Sequence, residues 1–300
     1  MSEALSLPNP TDFAVAGFIL LIVIEMIYGW KTGRARFEGK DTVTSMIMGL
    51  GSTISGALFG GIFYLIAYFI WENYRIFDFG HGIEIFALAF ALDDFRYYWA
   101  HRFGHRIRWM WAAHVVHHSS QHYNLSTALR QTWTSFATPG FLLAWPIFFL
   151  GIEPALVFFA YGFNLIYQFW IHTEAINKMP RWFEAVMNTP SHHRVHHANN
   201  PKYLDSNYAG VFIIWDKMFG TFIPEDEEKP IYGLVYNLSS FNPLKVAVHE
   251  WVGIGRDWMA ASSWSHRIQY LLKPPGWTPD GSRKTSDMLK EEWRVRRDAD

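Results

Sequence analysis

The histidines of this chain stand in clusters whose spacing suits metal binding. The chain has 14 histidines, and eight of them fall in three short clusters. The run SHHRVHHANN at 191–200 shows the pattern best, because residues three or four apart share one face of a helix and can direct their imidazoles at one point. The clusters are HxxxH at His101 and His105, HxxHH at His114, His117 and His118, and HxxHH at His193, His196 and His197.

The composition limits which metals and how many ions these residues could bind. The chain has no cysteine, which excludes disulfides, thiolate zinc sites and iron–sulfur clusters. Eight imidazoles exceed the four ligands of a tetrahedral zinc site, so two metal ions are expected. Imidazole alone suits iron, zinc, copper or nickel, and these residues leave that choice open. Adjacent histidines also occur on solvated surfaces, but three clusters on one predicted side favour a metal site.

The clusters adjoin apolar segments long enough to be membrane helices. Hydrophobic residues make up 50% of the chain and charged residues only 18%, a balance typical of a membrane protein. About 20 apolar residues in helical form cross a hydrocarbon core of about 30 Å. The sequence predicts spans at 13–30, 43–71 and 83–100, and a hairpin at 138–150 and 154–171 that either crosses the membrane or re-enters it.

Basic residues orient this predicted bundle. The loop 31–40 carries four basic residues and one acid, which places it in the cytoplasm. The segment 101–131 and everything after 173 then lie on the same side. The predicted fold class is all-α: an integral membrane helical bundle of about four or five spans, capped by a cytoplasmic histidine-rich helical domain. Residues 1–300 form a single predicted domain with a peripheral, partly disordered tail at 274–300.

Acidic residues inside the predicted spans need partners, because an unpaired charge is costly there. Glu25 could pack between helices or contact headgroups, and packing is the simpler interpretation. Asp93 and Asp94 lie near the end of the third span, on the helix that leads to His101. Either could accept a ring N–H from a ligand histidine, or pair with a neighbouring arginine, Arg96 or Arg102.

The net charge of −1 gives no sign of nucleic-acid binding.

Three motifs carry a resemblance to a known family. HRFGH at 101–105, HVVHH at 114–118 and HHRVHH at 192–197 resemble the histidine boxes of the fatty acid hydroxylase and sterol desaturase superfamily of membrane di-iron enzymes. The resemblance extends over about residues 40–255. Two longer strings are similar to its alkylglycerol monooxygenase branch: HHSSQHYNLSTALRQ at 117–131 and NTPSHHRVHHANNPKYLDSNYAGVFIIWDKMFGTF at 188–222.

The resemblance implies the chemistry of the site. It implies that the eight box histidines are ligands of two iron ions, and that His172 and His192 are further residues near the metals. It also implies a membrane lipid substrate, O2, and electrons from tetrahydrobiopterin or an external reductase. Members of the branch hydroxylate the carbon next to an ether oxygen, and the hemiacetal collapses to an aldehyde and glycerol. Arg106 and His122 replace acidic residues of the branch, which leaves the exact substrate open.

Other functions share much of this pattern. A hydroxylase or desaturase of a fatty acid, sterol or carotenoid would have the same boxes. A membrane metal transporter is the alternative without catalysis, although transporters usually hold their ions near the middle of the membrane, whereas these clusters follow the spans. The chain contains no GxGxxG fingerprint, so electrons are expected from outside it. A bacterial inner membrane and the endoplasmic reticulum are both compatible locations.

Overall fold

The computed structural model describes residues 7–299, so residues 1–6 and 300 of the predicted domain lie outside it. The described residues form helices and no strand, which confirms the all-α class. Short 3-10 helices lie at Leu125–Leu129, Ser135–Ala137 and Pro139–Ala144. The α-helices are α1 Pro10–Thr32, α2 Gly39–Tyr74, α3 Ile83–Arg106, α4 Arg108–His118, α5 Trp145–Leu150, α6 Pro154–Trp170, α7 Arg181–Glu184, α8 Pro190–His196, α9 Ile214–Met218, α10 Pro243–Ala260, α11 Trp264–Leu272 and α12 Ser286–Arg297.

Helices α1 and α2 are candidate membrane-spanning helices by their length and composition. The Asn9 side chain caps the start of α1 by accepting a hydrogen bond from the Thr11 N–H at 3.1 Å. Gly33 ends it in the left-handed region, at φ 74°. Most of the apolar surface of both helices is exposed, as at Trp30, which is 85% exposed. A lipid environment would cover these side chains.

Helices α2, α3, α5 and α6 enclose the largest apolar core. The other predicted membrane segments lie here, but each is shorter or more polar than α1 and α2: α3 contains Asp93 and Asp94, and the first arm of the hairpin begins as a 3-10 helix. Gly151 makes the turn between the arms, at φ 118°, and its carbonyl accepts a hydrogen bond from the Trp71 indole at 3.1 Å. Only glycine adopts this backbone conformation readily.

Glu25 joins α1 to two distant segments. It is 4% exposed, and its carboxylate accepts hydrogen bonds from the Leu125 N–H at 2.7 Å and from the Thr173 hydroxyl. Ring stacking of Phe18 on Phe169, with centroids 4.0 Å apart, holds α1 against α6 nearby. Glu25 therefore packs between elements, as the simpler interpretation of the sequence predicted.

Polar contacts join the C-terminal tail to the rest of the protein. Residues 274–299 are folded against the histidine-bearing half of the protein, with α12 as their last helix. Asp287 at the start of α12 contacts Arg106 at the end of α3, and Arg283 contacts Asp257 on α10. Polar contacts of this kind could not be recognised in the sequence, because each joins residues that lie far apart along the chain.

Candidate metal centre

Four segments bring the clustered histidines together. His101 and His105 are one turn apart near the end of α3, and the second cluster lies on α4, whose first residue follows α3 by two positions. The third cluster lies on α8, which the sequence starts with Pro190 in its first turn. His172 follows the end of α6. All nine of these imidazoles face one buried region.

The nine imidazoles form two groups. In each group the ring nitrogens lie within 4.8 Å of one another. Both HxxHH clusters are divided between the groups, because on a helix the first and last histidines of α4 face one way and the middle one faces another. The first group is His101, His105, His114, His118 and His196, and the second is His117, His172, His193 and His197.

The Nε2 atoms converge within each group. In the first group, His114 Nε2 is 2.9 Å from His101 Nε2 and 3.0 Å from His118 Nε2, and 3.1 Å separates His118 from His196. In the second group the separations are 3.1 Å for His117 to His172, 3.0 Å for His172 to His193 and 3.2 Å for His193 to His197.

Backbone carbonyls fix the orientation of several rings from behind. The Nδ1 of His101 is 2.7 Å from the Tyr208 carbonyl, and the Nδ1 of His196 is 2.9 Å from the Ser206 carbonyl. A carbonyl only accepts, so the proton of each ring lies on Nδ1 and the lone pair on Nε2. The same arrangement joins His117 to the Arg130 carbonyl at 3.3 Å and His172 to the Gln168 carbonyl at 2.7 Å. This arrangement is the one that metal-binding histidines generally have.

The tenth predicted residue, His192, is not brought into either group. It precedes His193 on α8 and therefore faces a different side of the helix, where its ring lies 5.2 Å from Phe222, edge to face. Its Nδ1 is buried without a hydrogen-bond partner, and its own carbonyl accepts from the Asn207 side chain at 3.0 Å. His192 therefore packs behind the two groups of imidazoles, against Phe222 and Asn207.

Asp93 and Asp94 do not accept hydrogen bonds from histidine rings, contrary to one prediction. Asp93 pairs with Arg96, whose Nε is 2.9 Å from Oδ1, which was the alternative interpretation. Asp94 accepts from the backbone N–H groups of Val211 and Phe212, at 2.8 and 3.0 Å, and from the Trp215 indole at 2.8 Å. The Asp94 side chain therefore holds residues 211–215 in place. These residues follow closely on Tyr208, whose carbonyl contacts His101.

Asp205 is the carboxylate that does face a clustered histidine. Its Oδ1 is 3.4 Å from His105 Nδ1, while His105 Nε2 is buried without a hydrogen-bond partner. Asp205 and Asn207 have φ values of 50° and 54°, a conformation that Asp and Asn tolerate better than most residues. One signal in the sequence pointed to Asp205, since it is the sole acidic residue between 198 and 215.

Burial keeps eight of the nine converging imidazoles neutral. Removal from water lowers the pKa of His101 to about 3 and that of His172 to about 4, and neighbouring imidazoles lower the pKa of His101 further. Burial followed by mutual repulsion lowers the pKa of the remaining rings well below 6.5 at six positions: His114, His117, His118, His193, His196 and His197. Neutral rings have the lone pair that a metal ion needs.

A cavity of about 260 Å³ opens beside both groups. Histidines of both groups form part of its lining, and the rest comes from segments that are separated in the sequence. Pro275, Gly276 and Leu289 of the tail form part of one wall. The clustered histidines in the lining are His105, His118, His196 and His197.

The region that carries the converging histidines is similar to a known protein family. Residues 86–221 match the family model described as fatty acid hydroxylase. This region is similar to fatty acid hydroxylase domains. It contains all nine converging histidines, and the predicted resemblance to the superfamily is confirmed.

The similarity to individual proteins extends beyond residues 86–221. Alkylglycerol monooxygenase of Xenopus tropicalis is 41% identical over 92% of this chain and 61% of its own length, and the protein of that name from Homo sapiens is 41% identical over 92% and 62%. That from Caenorhabditis elegans is 35% identical over 91% and 56%. The chain therefore spans about three fifths of the length of these relatives. No solved structure matches it.

Proposed function

We propose that this chain is a membrane-bound di-iron oxygenase that uses O2 to hydroxylate a lipid C–H bond, with an alkylglycerol as the substrate. The observation that carries the proposal is the convergence of nine imidazoles in two groups, with the Nδ1–H groups of four of them held by backbone carbonyls. The matched domain and the names of the relatives give the class of reaction. The eight box histidines and His172 would bind the metal ions, and His192 packs behind them.

The separations between the ring nitrogens suit one metal ion in each group. Neighbouring Nε2 atoms lie 2.9–3.2 Å apart, which is about the spacing of adjacent ligands on one ion with metal–nitrogen bonds of about 2.1 Å. Each group would therefore hold one iron ion, and iron would supply the redox chemistry that zinc lacks.

The chain holds the substrate and excludes water. Bound iron supplies the activation of O2: one oxygen atom enters the C–H bond, the other leaves as water, and a donor provides two electrons and two protons. Burial of the imidazoles keeps bulk water from the reacting carbon. We place the polar head of the lipid in the 260 Å³ cavity and its apolar chain toward the membrane helices. Tetrahydrobiopterin or an external reductase would be the donor.

The same proposal includes a membrane arrangement. Besides α1 and α2, helix α3 and the hairpin of α5 and α6 would complete four or five spans, since they pack around one apolar core with α2. The basic loop between α1 and α2 supports a cytoplasmic position for the histidine-rich domain. Either a bacterial inner membrane or the endoplasmic reticulum could hold this single-domain, multi-pass protein.

Metal analysis and product analysis test the proposal together. Detergent-purified protein is expected to contain about two irons per chain and to release aldehyde and glycerol from an alkylglycerol under reducing conditions. His196→Ala removes a ligand of the first group, so we expect it to lose iron and activity. His266→Ala is the matched control, because His266 lies outside both groups. One tightly bound zinc, with no O2 consumption on any lipid, would refute the proposal.

A further inference from the structure

Asp205 differs from the other groups that orient the clustered imidazoles, because it is a charged side chain. Its Oδ1 lies 3.4 Å from His105 Nδ1, where four other rings face backbone carbonyls. A carboxylate that accepts the Nδ1–H increases the basicity of Nε2 more than a carbonyl does, and it fixes the tautomer. His105 Nε2 is the buried atom left free for a metal.

Arg106 pairs with the other oxygen of Asp205. The Asp205 side chain is only 9% exposed, and its Oδ2 accepts from Arg106 Nη1 at 3.1 Å. A buried carboxylate needs such a partner, because an unpaired charge is costly away from water. The two oxygens of one carboxylate thus have separate partners, a ring on one side and a guanidinium on the other.

The C-terminal tail completes this arrangement. Asp287, in the first turn of α12, accepts two hydrogen bonds from Arg106, at 2.8 Å from Nη1 and 2.5 Å from Nη2. Such two-point pairing fixes the plane of the guanidinium as well as its position. A continuous set of contacts therefore runs from the tail to a clustered histidine: Asp287, Arg106, Asp205 and His105.

We propose that Asp205 is a positioning residue for His105 and that Asp287, acting through Arg106, holds Asp205 in place, so that the C-terminal tail is part of the metal centre. This proposal rests on the proposed di-iron function. It also gives Arg106 a role in this chain: its guanidinium joins two carboxylates, Asp205 and Asp287, that would otherwise repel each other.

The test is the rate at which a chelator removes iron from the iron-loaded full-length protein. Asp205→Asn keeps the shape and tolerates the positive φ but removes the charge, so we expect iron loss from one site about tenfold faster. Asp287→Asn should accelerate it about threefold, because an exposed pair contributes less. Asp287→Glu, which keeps the charge, should restore a rate close to that of the wild type.

The double variant separates positioning from general stability. If Asp287 acts through Asp205, the Asp205→Asn/Asp287→Asn protein releases iron about tenfold faster, whereas independent effects would multiply to about thirtyfold. Mössbauer spectra of the variants should show one altered iron site. Arg283→Gln is the matched control, since it loosens the tail from Asp257 and leaves both Arg106 and the Arg108–Asp257 pair in place, and its release rate should be unchanged.

The outcomes are distinct. A wild-type protein that holds no iron would overturn the proposed function and this inference with it. A wild type with two irons, but with release rates unchanged in Asp205→Asn and Asp287→Asn, would overturn the inference alone. A control variant that releases iron as fast as Asp287→Asn would likewise overturn it, because the tail would then act by general packing.

Discussion

Asp94 is the residue whose replacement should most clearly damage the fold around the centre. It is fully buried, and its carboxylate accepts four hydrogen bonds, from the N–H groups of Val211 and Phe212, the Trp215 indole and the Asn164 amide. Leaving one buried donor unpaired costs about 1–3 kcal/mol. Four such donors at the lower bound give a loss of about 4 kcal/mol in the free energy of unfolding for Asp94→Ala.

Two further variants should lower the free energy of unfolding by smaller amounts. In Asp94→Asn one oxygen remains to accept, while the new amide faces donors, so a loss of about 2–3 kcal/mol is expected. Trp215→Phe removes a single donor and leaves the carboxylate three partners, for a loss of about 1 kcal/mol. The exposed Asp298 provides a control, because Asp298→Asn changes only a surface pair of little energetic value.

Unfolding by SDS in mixed micelles, followed by tryptophan fluorescence, measures these differences. The order of stability should be wild type, Trp215→Phe, Asp94→Asn and then Asp94→Ala. Iron content should fall in the same order, because the loop that Asp94 holds also contains the Tyr208 carbonyl behind His101. An Asp94→Ala protein that unfolds within about 1 kcal/mol of the wild type, or a Trp215→Phe protein that is destabilised as much as Asp94→Ala, would refute this role of Asp94.

Two other predictions concern pH and a buried ion pair. Burial lowers the pKa of the clustered histidines in the folded state, so below pH 6.5 the unfolded chain binds more protons; stability is complete above that pH and falls as the pH drops. The metal-depleted protein should lose about 1 kcal/mol per such histidine between pH 7 and 5.5 in SDS unfolding, and a gain in stability would contradict this. Arg130→Met should cost about 3–5 kcal/mol, because it leaves the buried Asp41 carboxylate, 3.2 Å from the guanidinium, without its cation. Adding Asp41→Leu should recover most of that loss in the same assay, and no recovery would contradict the pairing.

The sequence was informative where local spacing decides geometry. Histidines three and four apart on a helix must lie near one another, so the grouping within each cluster was predictable. Which group each residue joins was not, because His117 and His118 are neighbours in the sequence but point to different groups. That division depends on how α4 is rotated against α3 and α8, and long-range packing alone determines the rotation.

Contacts between residues that lie far apart in the sequence were harder to predict. Glu25 was correctly expected to pack between helices, because a membrane helix seldom tolerates an unpaired acid. The sequence left Asp94 either a histidine ring or a neighbouring arginine as its partner, yet its carboxylate oxygens accept from residues 117 to 121 positions later. The tail likewise seemed peripheral in the sequence, since its charged composition does not show that Asp287 meets Arg106.

The backbone carbonyls behind four imidazoles also bear on how such a centre changes during evolution. A point mutation replaces a side chain and leaves the carbonyl in place, so His101, His117, His172 and His196 keep their orientation through many substitutions at the residues that supply those oxygens. His105 depends on a side chain at 205. Variation at that position would therefore change the support of one ring while the backbone contacts of the other four stay in place.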